Sequence, residues 1–590
     1  MTKTNVKVFL LFCVFRVLNV FVIQSQFDPD EYWQQLEPAY CRVFTSSGQS
    51  CHGLTWEWKR RSSSLEAKTM SDWMDIGMKG PVRSYASILP TLLFYHAIKI
   101  LGLDTSWAVS RGPVFLNAIL VAAPTDWSIW YLSRWMQPKS TVGDLSSSGW
   151  GSYCSLSSWF MAYALVRTYS NSLETVLLMV ALCLVGPELL NDPKSSHPYK
   201  MLRAGCAFFL GGVSSAIRFT SLAAFVPMGV LLAIQTTPRS IRSVISYLFG
   251  ICKLFGVLGL VSTLALDRQM YGFPVFPLLG NFHFNVLLGN GRLYGTHPFH
   301  WYLTAGIPAI TGILTPFLIL DLFAYRQWSK ARRNLWLICG CYVMAHSFSE
   351  HKEFRFLLPI LPLFCLLCGE GVQNFAARST LRFYLLVLGA TANLGVVLYL
   401  GLLHQRGPIE VNRRIIEIVQ HEPQTYSIHY LMGCHSTPLL SHLHVPPVRI
   451  EPWTLDCSPS CRADPHTLCE SELFAKDPAR FMEDTYFHCS DLEEGTCVTD
   501  LRILYPDFIV ARADDLPAMQ SRIASMNMEE VGRFVNGING IQVENHFALG
   551  HLALEAKTCS TSRFWAGHLP ITLSFDEIVL FKNRQIHPRY

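Results

Sequence analysis

The sequence predicts a polytopic α-helical membrane protein that carries a soluble α/β domain at its C-terminal end. Half of the 590 residues are hydrophobic and only 15% are charged, whereas a soluble domain usually has about 25% charged residues. Long apolar runs recur at 113 to 132, 173 to 190, 204 to 234, 244 to 266, 303 to 323, 335 to 346, 356 to 368 and 383 to 403. Several contain Gly and Pro, which membrane helices tolerate better than soluble ones. Hydrophobicity then drops after Leu403, and residues 404 to 590 are enough for a separate core. Allowing for split and short segments, the runs amount to roughly 10 to 13 membrane helices. The expected division is therefore 1–403 as the membrane domain, with a functional loop at 24–83, and 404–590 as the soluble domain.

The first apolar segment, 6 to 23, is nearly long enough to cross a bilayer at about 1.5 Å per residue. It contains Arg16, and no small-x-small cleavage site follows it, so a retained anchor is expected rather than a leader. Basic residues gather in short loops: Lys3 and Lys7; Lys200 and Arg203; Arg239 and Arg242; Arg326, Lys330, Arg332 and Arg333; Arg378 and Arg382. The positive-inside rule places these in the cytosol. Alternating sides then puts 24 to about 83, 267 to 300, 350 to 355 and 404 to 590 together on the opposite face. The helix pairing between 105 and 170 stays open, because Arg134 and Lys139 fit either side.

In the C-terminal part, strand-like Phe508 to Ala511 and Glu577 to Phe581 alternate with a helix-like stretch at 515 to 526, the pattern of a small α/β unit. Cys434, Cys457, Cys461, Cys469, Cys489, Cys497 and Cys559 cluster there, and Cys41 and Cys51 lie in the first non-cytosolic loop. In an oxidising lumen such clustering means disulfides. Cys457-Ser-Pro-Ser-Cys461 as half of a zinc site is the weaker alternative, since the usual two-residue spacing and histidine pairing are missing. There is no N-x-[ST] sequon to mark the side.

Four polar groups carry the chemistry. The first is Asp28-Pro29-Asp30-Glu31-Tyr32-Trp33, where the chain leaves the first apolar segment. Carboxylates beside a membrane are costly unless they pair, bind a cation or react. If Asp30 opens a helix after Pro29, then Glu31, Gln34 and Gln35 share a face. A carboxylate against apolar walls can take a proton from a sugar hydroxyl. The plain alternative is an N-cap and a solvated helix start. The second group, Glu350-His351-Lys352-Glu353-Phe354-Arg355, sits between two apolar segments, where Lys352 and Arg355 could grip phosphate oxygens. The third, 267 to 302, mixes aromatics and amides that suit sugars but equally suit an interfacial belt. The fourth comprises isolated arginines beside apolar stretches: Arg83, Arg167 and Arg218. Arg218 should face a polar cavity or an anion, and Arg167 and Glu174 could neutralise each other.

Acids on one wall and cations on another fit an enzyme that uses a lipid-phosphate-linked donor. No P-loop, dinucleotide fingerprint or nucleotide-sugar DxD pair competes, and no nucleic-acid partner is expected.

Phe27-Asp-Pro-Asp-Glu-Tyr-Trp-Gln34 and His351-Lys-Glu-Phe-Arg-Phe-Leu-Leu-Pro-Ile-Leu-Pro362 resemble the signatures of glycosyltransferase family 22, mannosyltransferases of the endoplasmic reticulum with the GT-C fold. Gly80-Pro-Val-Arg-Ser84, Arg167-Thr168, Tyr294-Gly-Thr-His-Pro-Phe-His-Trp301 and Leu431-Met-Gly-Cys-His-Ser-Thr-Pro438 are similar to the members that act on the GPI glycolipid. The resemblance implies transfer of the third mannose, α1,2-linked, from dolichyl-phosphate mannose to a two-mannose GPI acceptor at the endoplasmic reticulum membrane. A β-linked donor and α-linked product imply a single inverting displacement, with no metal or other cofactor. The resemblance casts Asp30 as the base, with Glu31 as its partner or replacement. It puts Arg218, His351, Lys352 and Arg355 on the donor phosphate, and Arg83, Asn171, Glu174, His297, His300 and Trp301 at the sugar sites. Many members have His where this chain has Asp28, so the tuning of the base is left open. Another dolichyl-phosphate-mannose enzyme is the nearest alternative. A lipid or sugar transporter is the more distant one, since it needs neither the acidic loop nor the large tail.

Overall fold

The computed structural model describes residues 3–45, 51, 53–59, 78–136, 149–191, 199–237, 240–462, 468–487, 506–543 and 571–584. Among them, eight helical segments are long and apolar enough to cross a membrane: Thr4–Val22, Ser106–Ser133, Ser170–Leu190, Phe219–Thr236, Ile241–Tyr271, Tyr302–Phe323, Phe354–Ala377 and Thr380–Leu402. Two more helices of similar length, Lys200–Ile217 and Lys330–Ser347, begin with basic residues that lower their apolar character. With these the bundle reaches the lower end of the expected range.

The first helix is woven into the bundle. Arg16 is fully buried and grips Asp126 through two hydrogen bonds of 2.6 and 2.9 Å, while Ser155 Oγ donates to the same carboxylate at 2.6 Å. A buried charge persists only when matched in this way. The apolar run at 204 to 234 is two helices. The chain breaks at Arg218, which is extended (φ −144°, ψ 112°), and a short 3-10 turn, Phe219–Ser221, restarts it. An irregular backbone at membrane depth is tolerated where it lines a cavity, and Arg218 does line one.

The soluble domain is a mixed five-stranded sheet in the order β2-β1-β3-β5-β4. The strands are β1 (Thr425–Leu431), β2 (Arg449–Thr454), β3 (Phe508–Arg512), β4 (Met528–Val543) and β5 (Ile571–Asn583). β1 lies parallel to both β2 and β3, while β5 is antiparallel to β3 and β4. Helix Leu516–Ser525 buries Met519 and Ile523 against one face of the sheet. Helix Gly407–Val419, which follows the last membrane helix after a short link, buries Val411, Ile415 and Val419 in the core on the other side. That core includes Tyr32, Trp33 and Leu36 from the acidic loop, so the soluble domain is seated directly on the first functional segment. Disulfides join Cys41 to Cys51, Cys434 to Cys457 and Cys461 to Cys469. Cys457 and Cys461 thus pair with different partners, which removes the zinc reading. Cys489, Cys497 and Cys559 lie outside the described residues.

Candidate active site

A cavity of about 1090 Å³ opens where the membrane bundle meets the soluble domain. Its lining comes from four stretches: Asp28 to Gln34 with Thr55 to Glu57 and Val82 to Arg83; Asn281 to His297; Phe348 to Phe356; and Cys434, His435 and Cys457. Apart from Phe348, Ser349 and Phe356, just outside 350 to 355, these fall in the four segments that charge alternation placed on one face of the membrane. Arg218 and His346 reach the cavity from the helices.

Asp30 opens a helix after Pro29, as expected, but the next turn is wider, a π-helix at Tyr32–Leu36. The face that Glu31, Gln34 and Gln35 were to share therefore does not form. Gln34 lines the cavity, Glu31 does not, and Gln35 borders a separate small crevice. Asp28 realises the capping alternative, since its Oδ1 accepts the Asp30 N–H at 2.9 Å.

Arg355 is the hub. Its Nη1 meets Asp30 Oδ2 at 2.6 Å, its Nε meets Asp28 Oδ2 at 3.4 Å, and it grips Glu353 at 2.5 and 2.8 Å. His351 Nε2 lies 2.7 Å from the same Glu353. Three carboxylates thus surround one guanidinium. Glu353, nearest to both Arg355 and His351, is held well below the usual carboxylate range. Burial, with Asp30 and Glu353 nearby, pushes Asp28 well above it despite Arg355. Asp30 pairs with Arg355 through one carboxylate oxygen and lies on the cavity surface.

The structure corrects several sequence assignments. Glu31 is 2% exposed and bound to Arg167 Nη1 at 2.7 Å, while Arg167 also donates to the Ser25 and Tyr163 carbonyls. Burial raises the Glu31 carboxyl and Arg167 opposes the rise. Glu31 is a strut, and Asp30 stands without it as partner. Arg167 does not neutralise Glu174, because Glu174 pairs with Arg218 at 3.2 Å and accepts from Ser221 and Tyr342 at 2.9 and 3.1 Å. Glu174 and Asn171 are buried off the cavity lining, so neither is a sugar ligand. Their helix, Ser170–Gly186, packs its polar start inward, against other helices. His300 and Trp301 are also absent from the lining; Trp301 stacks on His297 at 4.6 Å and supports it. Arg355 is saturated by acids and is no free phosphate ligand. Lys352 spends donors on the His297 and Ser349 carbonyls, which fastens its loop. Arg83 lines the cavity but is tied to Glu57 at 2.7 and 3.0 Å. Arg218, His351 and His297 line it as expected.

The sequence reading missed Glu57, Glu353 and His435 as site residues. Trp56-Glu57-Trp58, an acid between two aromatics in the expected functional loop, was the available signal for Glu57. Cys434, His435 and Cys457 approach one another as metal ligands do. The two sulfurs are bonded to each other, however, and neither is a thiolate.

A polytopic helical bundle with a carboxylate-lined cavity under a soluble cap defines a membrane glycosyltransferase of the GT-C type. The same fold is found in ArnT from Cupriavidus metallidurans bound to undecaprenyl phosphate, with a TM-score of 0.52 at 10% identity, over 90% of this chain and 97% of that one. Residues 7–65 and 74–444 match the Alg9-like mannosyltransferase family. GPI alpha-1,2-mannosyltransferase 3 of Homo sapiens is 30% identical over 486 residues, covering 81% of this chain and 77% of that protein. GPI mannosyltransferase 3 of Yarrowia lipolytica is 30% identical over 489 residues, covering 81% and 83%. The chain belongs to the Alg9-like mannosyltransferase family, and it is a multi-pass membrane mannosyltransferase.

Proposed function

We propose that this enzyme transfers the third, α1,2-linked mannose from dolichyl-phosphate mannose to the two-mannose GPI glycolipid, at the luminal face of the endoplasmic reticulum membrane. The observation that carries the reaction is the Asp30–Arg355 ion pair on the cavity wall, with Asp28 and Glu353 crowding the same guanidinium. Asp30 takes the proton of the acceptor hydroxyl as that oxygen attacks the anomeric carbon from the face opposite the phosphate. The bond to the departing dolichyl phosphate breaks in the same step, which inverts the centre. Arg218, on the cavity lining, stabilises the phosphate as its charge develops, while His351 is held by Glu353 and the Gly295 carbonyl beside it. The acceptor class is supported by the names of the relatives. Luminal orientation is supported by the disulfide between Cys434 and Cys457 at the cavity wall, because such bonds persist in oxidising compartments.

Microsomes that lack this protein should accumulate a two-mannose GPI intermediate, and adding back the wild-type chain should convert it to the three-mannose species. Accumulation of a truncated N-glycan precursor instead would assign the enzyme to another branch of the family.

A further inference from the structure

The C-terminal domain contributes to the cavity through one small device. β1 and β2 are parallel, and ligands of parallel sheets gather beyond the carboxyl ends of the strands. Those two ends, just past Leu431 and Thr454, are stitched together by the Cys434–Cys457 disulfide. Between them His435 adopts a left-handed backbone conformation, φ +57°, uncommon for a residue with a side chain. The turn sends its imidazole to the cavity wall.

Its ring packs on Trp33, with centroids 4.4 Å apart, and the Trp33 indole N–H donates to the Thr437 carbonyl at 2.9 Å. Trp33 lies one helical turn beyond Asp30, and all three side chains line the same cavity. His435 Nδ1 approaches Cys457 Sγ at 3.9 Å. A disulfide sulfur has no proton to give, so Nδ1 is the donor in that weak contact and Nε2 keeps its lone pair. Among the described residues Nε2 has no hydrogen-bond partner. Burial presses the imidazole toward its neutral form, with a pKa of about 4. The result is a hydroxyl acceptor on the cavity wall, held in place by the buried Trp33 ring behind it, an arrangement that suits a sugar hydroxyl.

We propose that the soluble domain reads the acceptor sugar, with His435 Nε2 accepting a hydroxyl of the terminal acceptor residue and Trp33 behind the imidazole fixing its aim. This rests on the reading that a sugar hydroxyl is activated at Asp30. His435 is thus a specificity-determining residue held by a disulfide, and the cap is part of the substrate site.

The test uses the full-length protein in microsomes with dolichyl-phosphate mannose and a two-mannose GPI acceptor. His435→Ala should raise the acceptor KM about ten-fold, the weight of one hydrogen bond, and leave the donor KM unchanged. His435→Gln, which restores an acceptor atom, should recover most of that shift. Cys434→Ser with Cys457→Ser should move the acceptor KM in the same direction, because the loop is no longer held. An unchanged acceptor KM in His435→Ala, or equal shifts in both KM values, overturns the proposal. If His435→Ala fails to accumulate, the double serine variant decides by the same criterion. Failure of the parent reading looks different: the wild-type chain would ignore the GPI acceptor and mannosylate another lipid-linked glycan, on which the His435 comparison can still be made.

Discussion

Two arginines a few ångströms from the acidic loop show how the same ion-pair chemistry serves opposite ends. Arg167 meets one carboxylate, Glu31, and fills its remaining donors with the Ser25 and Tyr163 carbonyls and the Ser25 hydroxyl. Both partners are almost wholly buried. Arg355 meets three carboxylates, each about a fifth or more exposed on the cavity side. The matched pair at Glu31 fixes the strand of chain that leaves the first helix, in the manner of Arg16 with Asp126. The mismatched cluster gathers three acids around one cation on the cavity wall, and burial keeps one of them, Asp28, toward its neutral form. Adjacent residues, Asp30 and Glu31, fall on opposite sides of this division, and it is the count of partners, not the type of residue, that separates machinery from scaffold.

The largest effect should come from breaking the mismatched side. Asp30→Asn keeps the shape and a hydrogen-bonding oxygen but removes the base, so transfer should fall by about 10³-fold. The amount of folded protein, judged by monodisperse elution in detergent, should stay unchanged. Near-normal transfer by Asp30→Asn would return the base role to another acid. Breaking the matched side should do the reverse. Arg167→Ala leaves Glu31 buried without its partner, a loss on the order of 3–5 kcal/mol, and should show as poor accumulation and early thermal unfolding. Replacing both, Glu31→Gln with Arg167→Met, should restore folding and part of the activity. If the double variant folds but is as inactive as Asp30→Asn, Glu31 takes part in the chemistry after all.

A subtler cut at the same comparison is Arg355→Lys. A single ammonium keeps the charge but cannot fork to Asp30 and Glu353 together. Turnover should drop about 10- to 100-fold with modest change in stability, because the acids it served face the cavity. The same change at Arg167 should cost folding instead, since the Ser25 and Tyr163 carbonyls would be orphaned in a buried site.

Most of the fold was legible because membrane burial writes itself into long apolar runs, and because loop charge encodes sidedness. The two motifs that frame the cavity stood out for the same reason: ionisable residues at the ends of apolar segments are expensive. What failed was partner choice. Arg167 and Glu174 are seven residues apart and invite pairing, yet their partners are Glu31, 136 positions away, and Arg218. A turn before Ser170 points the two side chains apart, and no periodicity reports that. Glu31 was misread because a regular helix would put it on the face of Gln34, whereas the π-turn at Tyr32–Leu36 re-aims the face. His435 was visible only as part of a motif, since its approach to the cavity depends on a disulfide and a left-handed turn.

The smallest effect concerns the seam between the two domains, where one carboxylate is matched by donors but by no cation. Glu37 is fully buried and accepts from the Leu439 N–H at 2.9 Å, and from the Ser441 N–H and hydroxyl at 3.2 and 2.6 Å. Burial pushes its carboxyl up to about 7, with those donors opposing the rise. Because the folded pKa lies above the ordinary value near 4.5, the folded protein holds a proton that the unfolded chain has released over that interval. Stability therefore falls as pH rises from about 4.5 to about 7 and levels off above it. The whole span is about 3 kcal/mol at 1.36 kcal/mol per unit. Glu37→Gln cannot ionise and should flatten this part of the profile, while the wild type unfolds at lower temperature at pH 7 than at pH 5.5. Melting curves of the two proteins across that range decide it. A parallel slope in Glu37→Gln would move the pH dependence to the crowded acids around Arg355, and the seam would then be held by packing of Tyr32, Trp33 and Leu36 alone.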